Sequence, residues 1–147
     1  AEAAEMSFQK PRGLRNNNPG NLVYSPRNAW EGQIGHDGRF CRFEQMSDGV
    51  RALAVVLLTY HGKHKLSTVR QIITRWAPPT ENATAAYIRR VAAALDVGAD
   101  DRIILFDRKT LTLLVWAICT HENGAMSCER WLRREDVEAG VDRALER

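Results

Sequence analysis

The stretch from Leu111 to Glu122 constrains this chain more than any other. Leu111, Leu114, Val115, Ile118, Cys119 and Glu122 recur at steps of three and four, which places them on one face of a helix. Leu113, Trp116 and Ala117 carry the apolar surface nearly round it. A helix that is apolar on most sides must be packed on most sides, so it belongs at the centre of a helical domain. Asp107 or Thr110 can open this helix, and Gly124 can turn the chain out of it. Glu122 then sits at the carboxyl end of a core helix, on its buried face. Burial and the negative end of the helix dipole both disfavour a charged carboxylate there. A carboxyl group that keeps its proton near neutral pH is what a glycosidase uses to protonate a leaving oxygen. Structural carboxylates outnumber catalytic ones, so periodicity alone favours a solvated end-of-helix residue paired with an arginine such as Arg130.

The remaining pattern is also helical. Ser47 or Asp48 can cap a helix with Val50, Leu53, Ala54, Leu57, Leu58 and His61 on one face. Ser67 or Thr68 opens another through Val69, Ile72, Ile73 and Trp76, and Pro78-Pro79 stops it. Asn82 or Thr84 caps a third, which buries Tyr87, Ile88, Val91, Ala92 and Leu95. A last one, from about Arg134, aligns Val137, Val141 and Leu145. Residues 12–29 are rich in Asn, Gly and Pro, which predicts loops and turns around a short strand. Residues 30–43 alternate as one or two strands with a turn at His36-Asp37-Gly38. The expected fold is mainly α (α+β), a helical domain over 12–147 with a small β element near the amino end. Residues 1–11, acidic and alanine-rich, are expected to be a linker remnant.

Composition excludes more than it selects. The chain has 147 residues, the size of one domain, with 44% apolar and 27% charged residues. A net charge of +3 from 21 basic and 18 acidic residues is too mild and dispersed to argue for nucleic acid. It is compatible with an anionic polymer such as a bacterial cell wall. The longest apolar run, Leu53 to Leu58, cannot span a bilayer. AEAAEMSFQK has no basic region followed by an apolar stretch, so no secretory signal is expected at the amino end. Cys41, Cys119 and Cys128 are no disulfide framework; Cys119 and Cys128 could pair, or Cys119 could be a small core residue. His61 and His64 straddle a glycine, and no further ligand stands at zinc spacing, so no metal and no cofactor are expected. A cysteine hydrolase built on Cys119 and His121 fails because residues two apart on a helix do not face each other. Neither a phosphate-binding glycine loop nor a serine nucleophile elbow is present.

Several segments have a more individual composition: RGLRNNNPGNL (12–22), the Trp30-Glu31-Gly32 turn, GRFCRFEQMSDGVRAL, IITRWAPPTENATAAYIRRV and AICTHENG. Together, over roughly residues 12 to 126, they resemble a phage virion-associated lysozyme-like family, and also domains carried by secreted bacterial antibacterial effectors. The pieces further resemble flagellar glucosaminidases and lytic transglycosylases, but in shifted order, as in a circularly rearranged version. The Asn-rich turn comes first here, and the helix ending in Glu comes near the end. The resemblance implies a peptidoglycan glycosidase in which Glu122 occupies the catalytic place. Such enzymes commonly have Ser after that Glu, where this chain has Asn123.

Other candidates fall around that frame. Glu81 precedes a helix amino terminus, where the dipole would keep it ionised, as suits a base or a charge stabiliser or simply a cap. Glu31 flanks the β element, as does Glu44, and could face a cleft. Asn16, Asn17, Asn18 and Asn21 could bind sugar hydroxyls and N-acetyl groups, or serve left-handed turns. Asn82 and Asn123, beside two of the candidate acids, extend that substrate-binding set. Trp30 and Tyr87 offer flat faces to sugar rings, whereas Trp76 lies on an apolar stripe and is expected in the core. The expected function is a muramidase acting on peptidoglycan strands. The alternatives are a lytic transglycosylase, a glucosaminidase, or a non-catalytic cell-wall-binding or virion structural module. The domain is expected to be monomeric, alone or within a larger virion or effector protein. Its expected place of action is the periplasm or cell wall, reached through a virion, a secretion system or a fusion partner.

Overall fold

The computed structural model describes residues 9–77 and 81–147, with only the backbone given at 81 and 82. Most of the expected linker and the Pro78-Pro79 stop lie outside these residues. The described elements, in order, are α1 (Arg12–Arg15), β1 (Gln33–His36), β2 (Cys41–Phe43), α2 (Met46–Gly62), α3 (Val69–Trp76), α4 (Glu81–Leu95), α5 (Arg108–Asn123), α6 (Ala125–Trp131) and α7 (Arg134–Glu146). The fold is mainly α with a two-stranded antiparallel sheet near the amino end. No described helix is long and apolar enough to cross a membrane.

Helix α5 takes the central position that its composition demands. Leu111, Leu114, Val115, Ile118 and Cys119 are sealed from solvent, and only Leu113 among its large apolar residues is open. It packs against α2, α4, α6 and α7 as well as the amino-terminal turn. Asp107 caps it by accepting from the Thr110 N–H at 3.0 Å, and Thr68 caps α3 through the Gln71 N–H at 3.1 Å. Helix α2 departs from expectation: it starts at Met46 after Gln45, and neither Ser47 nor Asp48 caps it. Both lie inside its first turn, where Asp48 instead accepts from Arg143 of α7 at 2.9 Å. Gly140 lets α7 lie along α2, because a Cβ there would meet Val50 at 2.6 Å. The short α6 has no counterpart among the predicted elements, since seven residues are too few to show a periodicity. All three cysteines are buried and free, and the Cys128 thiol donates to the Cys119 carbonyl at 3.3 Å instead of forming a disulfide.

The core divides into two clusters. The larger joins the helices; the smaller, of Leu22, Cys41, Phe43 and Ala52, underlies the β element. Trp30 and Trp76 touch both clusters while remaining partly open. The surface between them is where the site lies.

Candidate active site

A groove of about 710 Å³ opens along the junction of the two clusters. Its helical wall comes from α3, α4 and the end of α5, through Trp76, Tyr87, His121 and Glu122. Its other wall comes from the amino-terminal loops and the β turn, through Asn21, Asn28, Trp30, Arg39 and Phe40. Glu122 is half-buried there, on the last turn of α5, and Gly124 follows with φ +90°, sending the chain away from the groove.

Both oxygens of Glu122 are held. Asn21 Nδ2 donates to Oε1 at 3.0 Å, and the Tyr87 hydroxyl donates to Oε2 at 3.0 Å. Trp76 Nε1 donates in turn to the Tyr87 hydroxyl at 3.1 Å, giving a chain of three side chains from three helices. Burial, and then the nearby Glu122 charge, push the Tyr87 hydroxyl far above the ordinary phenol range, so it stays protonated and able to donate. His121 stacks on the Tyr87 ring with centroids 3.6 Å apart. Burial lowers the His121 pKa, so its ring is neutral at neutral pH.

A second layer fixes Asn21. It adopts φ +53°, a left-handed conformation that asparagine tolerates better than most residues. Its amide is thereby aimed at Glu122 across 101 positions of sequence. Its own side-chain oxygen, and that of Asn123, are buried without a hydrogen-bond partner. Both lie against Gly13: a Cβ on that glycine would meet Asn21 Oδ1 and Asn123 Oδ1 at 2.7 Å each and the Asn18 carbonyl at 2.9 Å. The oxygens therefore sit on a bare Cα, whose C–H groups are the weak donors left to them.

No family profile matches the chain. Over 118 residues it is 36% identical to Protein P5 of Pseudoalteromonas phage PM2, across 78% of this chain and 72% of that protein. The chain belongs to the Protein P5 family. That name specifies no chemistry, so the groove has to be read by its residues.

In this member of the Protein P5 family, the sequence candidates separate cleanly. Glu122, Asn21, Trp30 and Tyr87 meet in the groove. Asn16, Asn17 and Asn18 are not available to substrate, because each amide already serves the fold. Asn16 donates to Asp37 at 2.8 Å, and Asn17 to the Phe43 and Glu44 carbonyls at 3.1 Å each. Asn18, wholly buried, bonds Leu22 through both ends of its amide and also reaches the Cys41 carbonyl. Asn123 is likewise internal: its amide ties the Pro19 and Cys119 carbonyls at 2.7 and 2.9 Å, joining the Asn-rich turn to α5. Glu31 is no groove residue; Arg143 binds it at 2.7 Å and Arg51 lies at 3.6 Å, so it anchors α7. Glu44 lies outside the groove too. The side chains of Glu81 and Asn82 fall outside the description. Trp76, expected in the core, packs against both core clusters and also borders the groove, where it spends its N–H on Tyr87. Sequence reasoning missed Tyr60, Arg39 and Phe40 as groove residues. Arg39 and Phe40 directly follow the predicted His36-Asp37-Gly38 turn, which was the signal that could have pointed to them. Among the described residues no group of three His, Cys, Asp or Glu side chains could hold a metal.

Proposed function

We propose that this chain cleaves the glycan strand of bacterial peptidoglycan, with Glu122 as the general acid. One observation carries this reading. Glu122 is the only carboxylate among the described side chains lining a groove with several aromatic faces, and both its oxygens are oriented by donors. Aromatic faces suit the apolar sides of sugar rings, and a positioned carboxyl group suits proton delivery to a glycosidic oxygen. Each carboxylate oxygen has two acceptor sites. The single bonds from Asn21 and Tyr87 therefore leave room for the catalytic proton. In the first step Glu122 gives that proton to the leaving oxygen as the C1–O bond breaks; the resulting carboxylate then takes a proton from the attacking hydroxyl. The resemblance of the RNNNPGN and HENG segments to lysozyme-like enzymes supports the same assignment.

A second reading is favoured by one specific feature. No second carboxylate among the described side chains lines the groove, whereas two-carboxylate hydrolysis uses a partner roughly 5–9.5 Å away. Attack by the sugar's own 6-hydroxyl needs no such partner and leaves a 1,6-anhydro end, the lytic transglycosylase outcome. Release of soluble muropeptides from purified peptidoglycan, followed by mass, tests both readings. Glu122→Gln keeps the shape and removes the proton, so a folded variant that releases nothing assigns the acid. Anhydro ends in the wild-type products mean transglycosylase; reducing muramic acid means lysozyme; reducing glucosamine ends mean glucosaminidase. Full activity in Glu122→Gln would refute the assignment, and no release by wild type would leave a binding or virion structural module.

A further inference from the structure

We infer that Arg39 makes this groove selective for a carboxylate-bearing glycan, which rests on the reading of the groove as a glycan site. Among the described groove residues Arg39 is the one guanidinium or ammonium group. It forms no ion pair with any described carboxylate. The neighbouring acid that could neutralise it, Asp37, is already taken: Arg12 binds it at 2.6 Å and Asn16 at 2.8 Å.

The backbone that presents Arg39 is fixed. Asp37 Oδ1 accepts from the Arg39 and Phe40 N–H groups at 3.0 and 2.8 Å, and the Arg39 carbonyl accepts from the Tyr24 N–H at 2.8 Å. The guanidinium lies over the Phe40 ring, 5.0 Å from its centroid, and that ring is itself a wall of the groove. Stacking on an aromatic ring leaves the edge N–H donors of an arginine free, in a fork that matches a carboxylate. A neutral sugar polymer offers such a group hydroxyl and acetyl oxygens but no charge to pair with. A strand of alternating N-acetylglucosamine and N-acetylmuramic acid does, through the free lactyl carboxylate or the carboxylates of an attached stem peptide.

The test is binding by the Glu122→Gln variant, which keeps the ligands intact, alone and combined with Arg39→Gln or Arg39→Lys. Three tetrasaccharides serve as probes: chitotetraose, an alternating strand stripped of peptide, and the same strand bearing stem peptides. The expected result is binding of an anionic strand roughly tenfold tighter than chitotetraose, the scale of one charge-assisted hydrogen bond. Arg39→Gln should abolish that difference, Arg39→Lys should keep part of it, and added salt should shrink it. A gain confined to the stripped strand assigns the lactyl group; one confined to the peptide-bearing strand assigns the stem. Equal binding of all three, an equal loss on all three in Arg39→Gln, or no binding of the anionic strands would each overturn the inference. Wild-type cleavage is scored separately. Arg39-dependent selection without cleavage keeps this inference and removes the glycosidase reading; cleavage without selection does the reverse.

Discussion

Two grooves of the same volume, about 710 Å³ each, lie on either side of His121. One contains Glu122. The other, bordered by Arg90, Trp116, Ala117, Gly124 and Glu129, also contains a carboxylate and an aromatic residue. Size and residue types therefore do not distinguish them. The difference is convergence: Glu122 is half-buried with a donor on each oxygen, whereas Glu129 is exposed and takes no hydrogen bond from a described residue. A free surface carboxylate keeps its rotamer freedom, and a carboxylate held by a donor on each oxygen has already lost it. What sets the first groove apart is the set of side chains around Glu122, namely Asn21, Tyr87, Trp76 and the bare Gly13, more than the cavity itself.

The sharpest test of that contrast is a matched pair. Glu122→Gln should lower glycan cleavage by about 10²–10⁴-fold. Glu129→Gln should leave it unchanged, and both proteins should unfold near the wild-type denaturant midpoint. Equal losses in the two variants would erase the distinction between the grooves.

Gly13→Ala comes next, since its methyl would intrude on three oxygens at once. Overpacking of this kind costs about 1–3 kcal/mol, read as a lower urea midpoint. Because the displaced groups are Asn21 and Asn123, kcat should fall further than KM rises. A stability loss with kcat intact would separate Gly13 from the site.

Tyr87→Phe removes the hydroxyl between Trp76 and Glu122 and keeps the ring stacked on His121. Loss of one charged hydrogen bond predicts about a tenfold fall in kcat, with a stability cost of about 1 kcal/mol. An unchanged kcat would mean that Asn21 alone orients the acid.

The smallest effect concerns pH. Burial lowers the folded-state pKa of His121 below its ordinary 6.5, so the unfolded chain binds that proton more readily. Stability from this group is complete above the unfolded value and declines as pH falls from there toward the folded value. Urea midpoints measured at about pH 7.5 and about pH 5.5 should differ less in His121→Gln than in wild type. An identical difference in both proteins would place the titrating group elsewhere.

Much of the fold was legible because helix periodicity is local. The eight-residue apolar surface of α5, the stripe of α3 and the caps at Thr68 and Asp107 depend on neighbours within one or two turns. The β turn was legible for the same reason, through the His36-Asp37-Gly38 run, whose glycine takes φ +102°. The candidate site was legible only in part. The place of Glu122 at the end of a buried helix made it a candidate, and the resemblance of the HENG segment singled it out; Trp30 stood out by its polar setting near Gly32. The Asn-rich turn left two roles open, since one residue type serves two purposes there. Asn16, Asn17 and Asn18 satisfy buried backbone and side-chain groups, and only Asn21 reaches the groove. Four identical side chains carry no sequence mark of which way each points.

Spacing and backbone preference suffice for a central apolar helix ending in a carboxyl group, a small β element and a dense asparagine turn. That the asparagine turn and the helix end meet is a matter of long-range packing. The bonds that join them run from Asn21 to Glu122 and from Asn123 to Pro19, more than a hundred residues apart. Chain entropy opposes such closures, and the packing of α5 against its neighbours offsets that cost. No local pattern records which distant partner the closure brings.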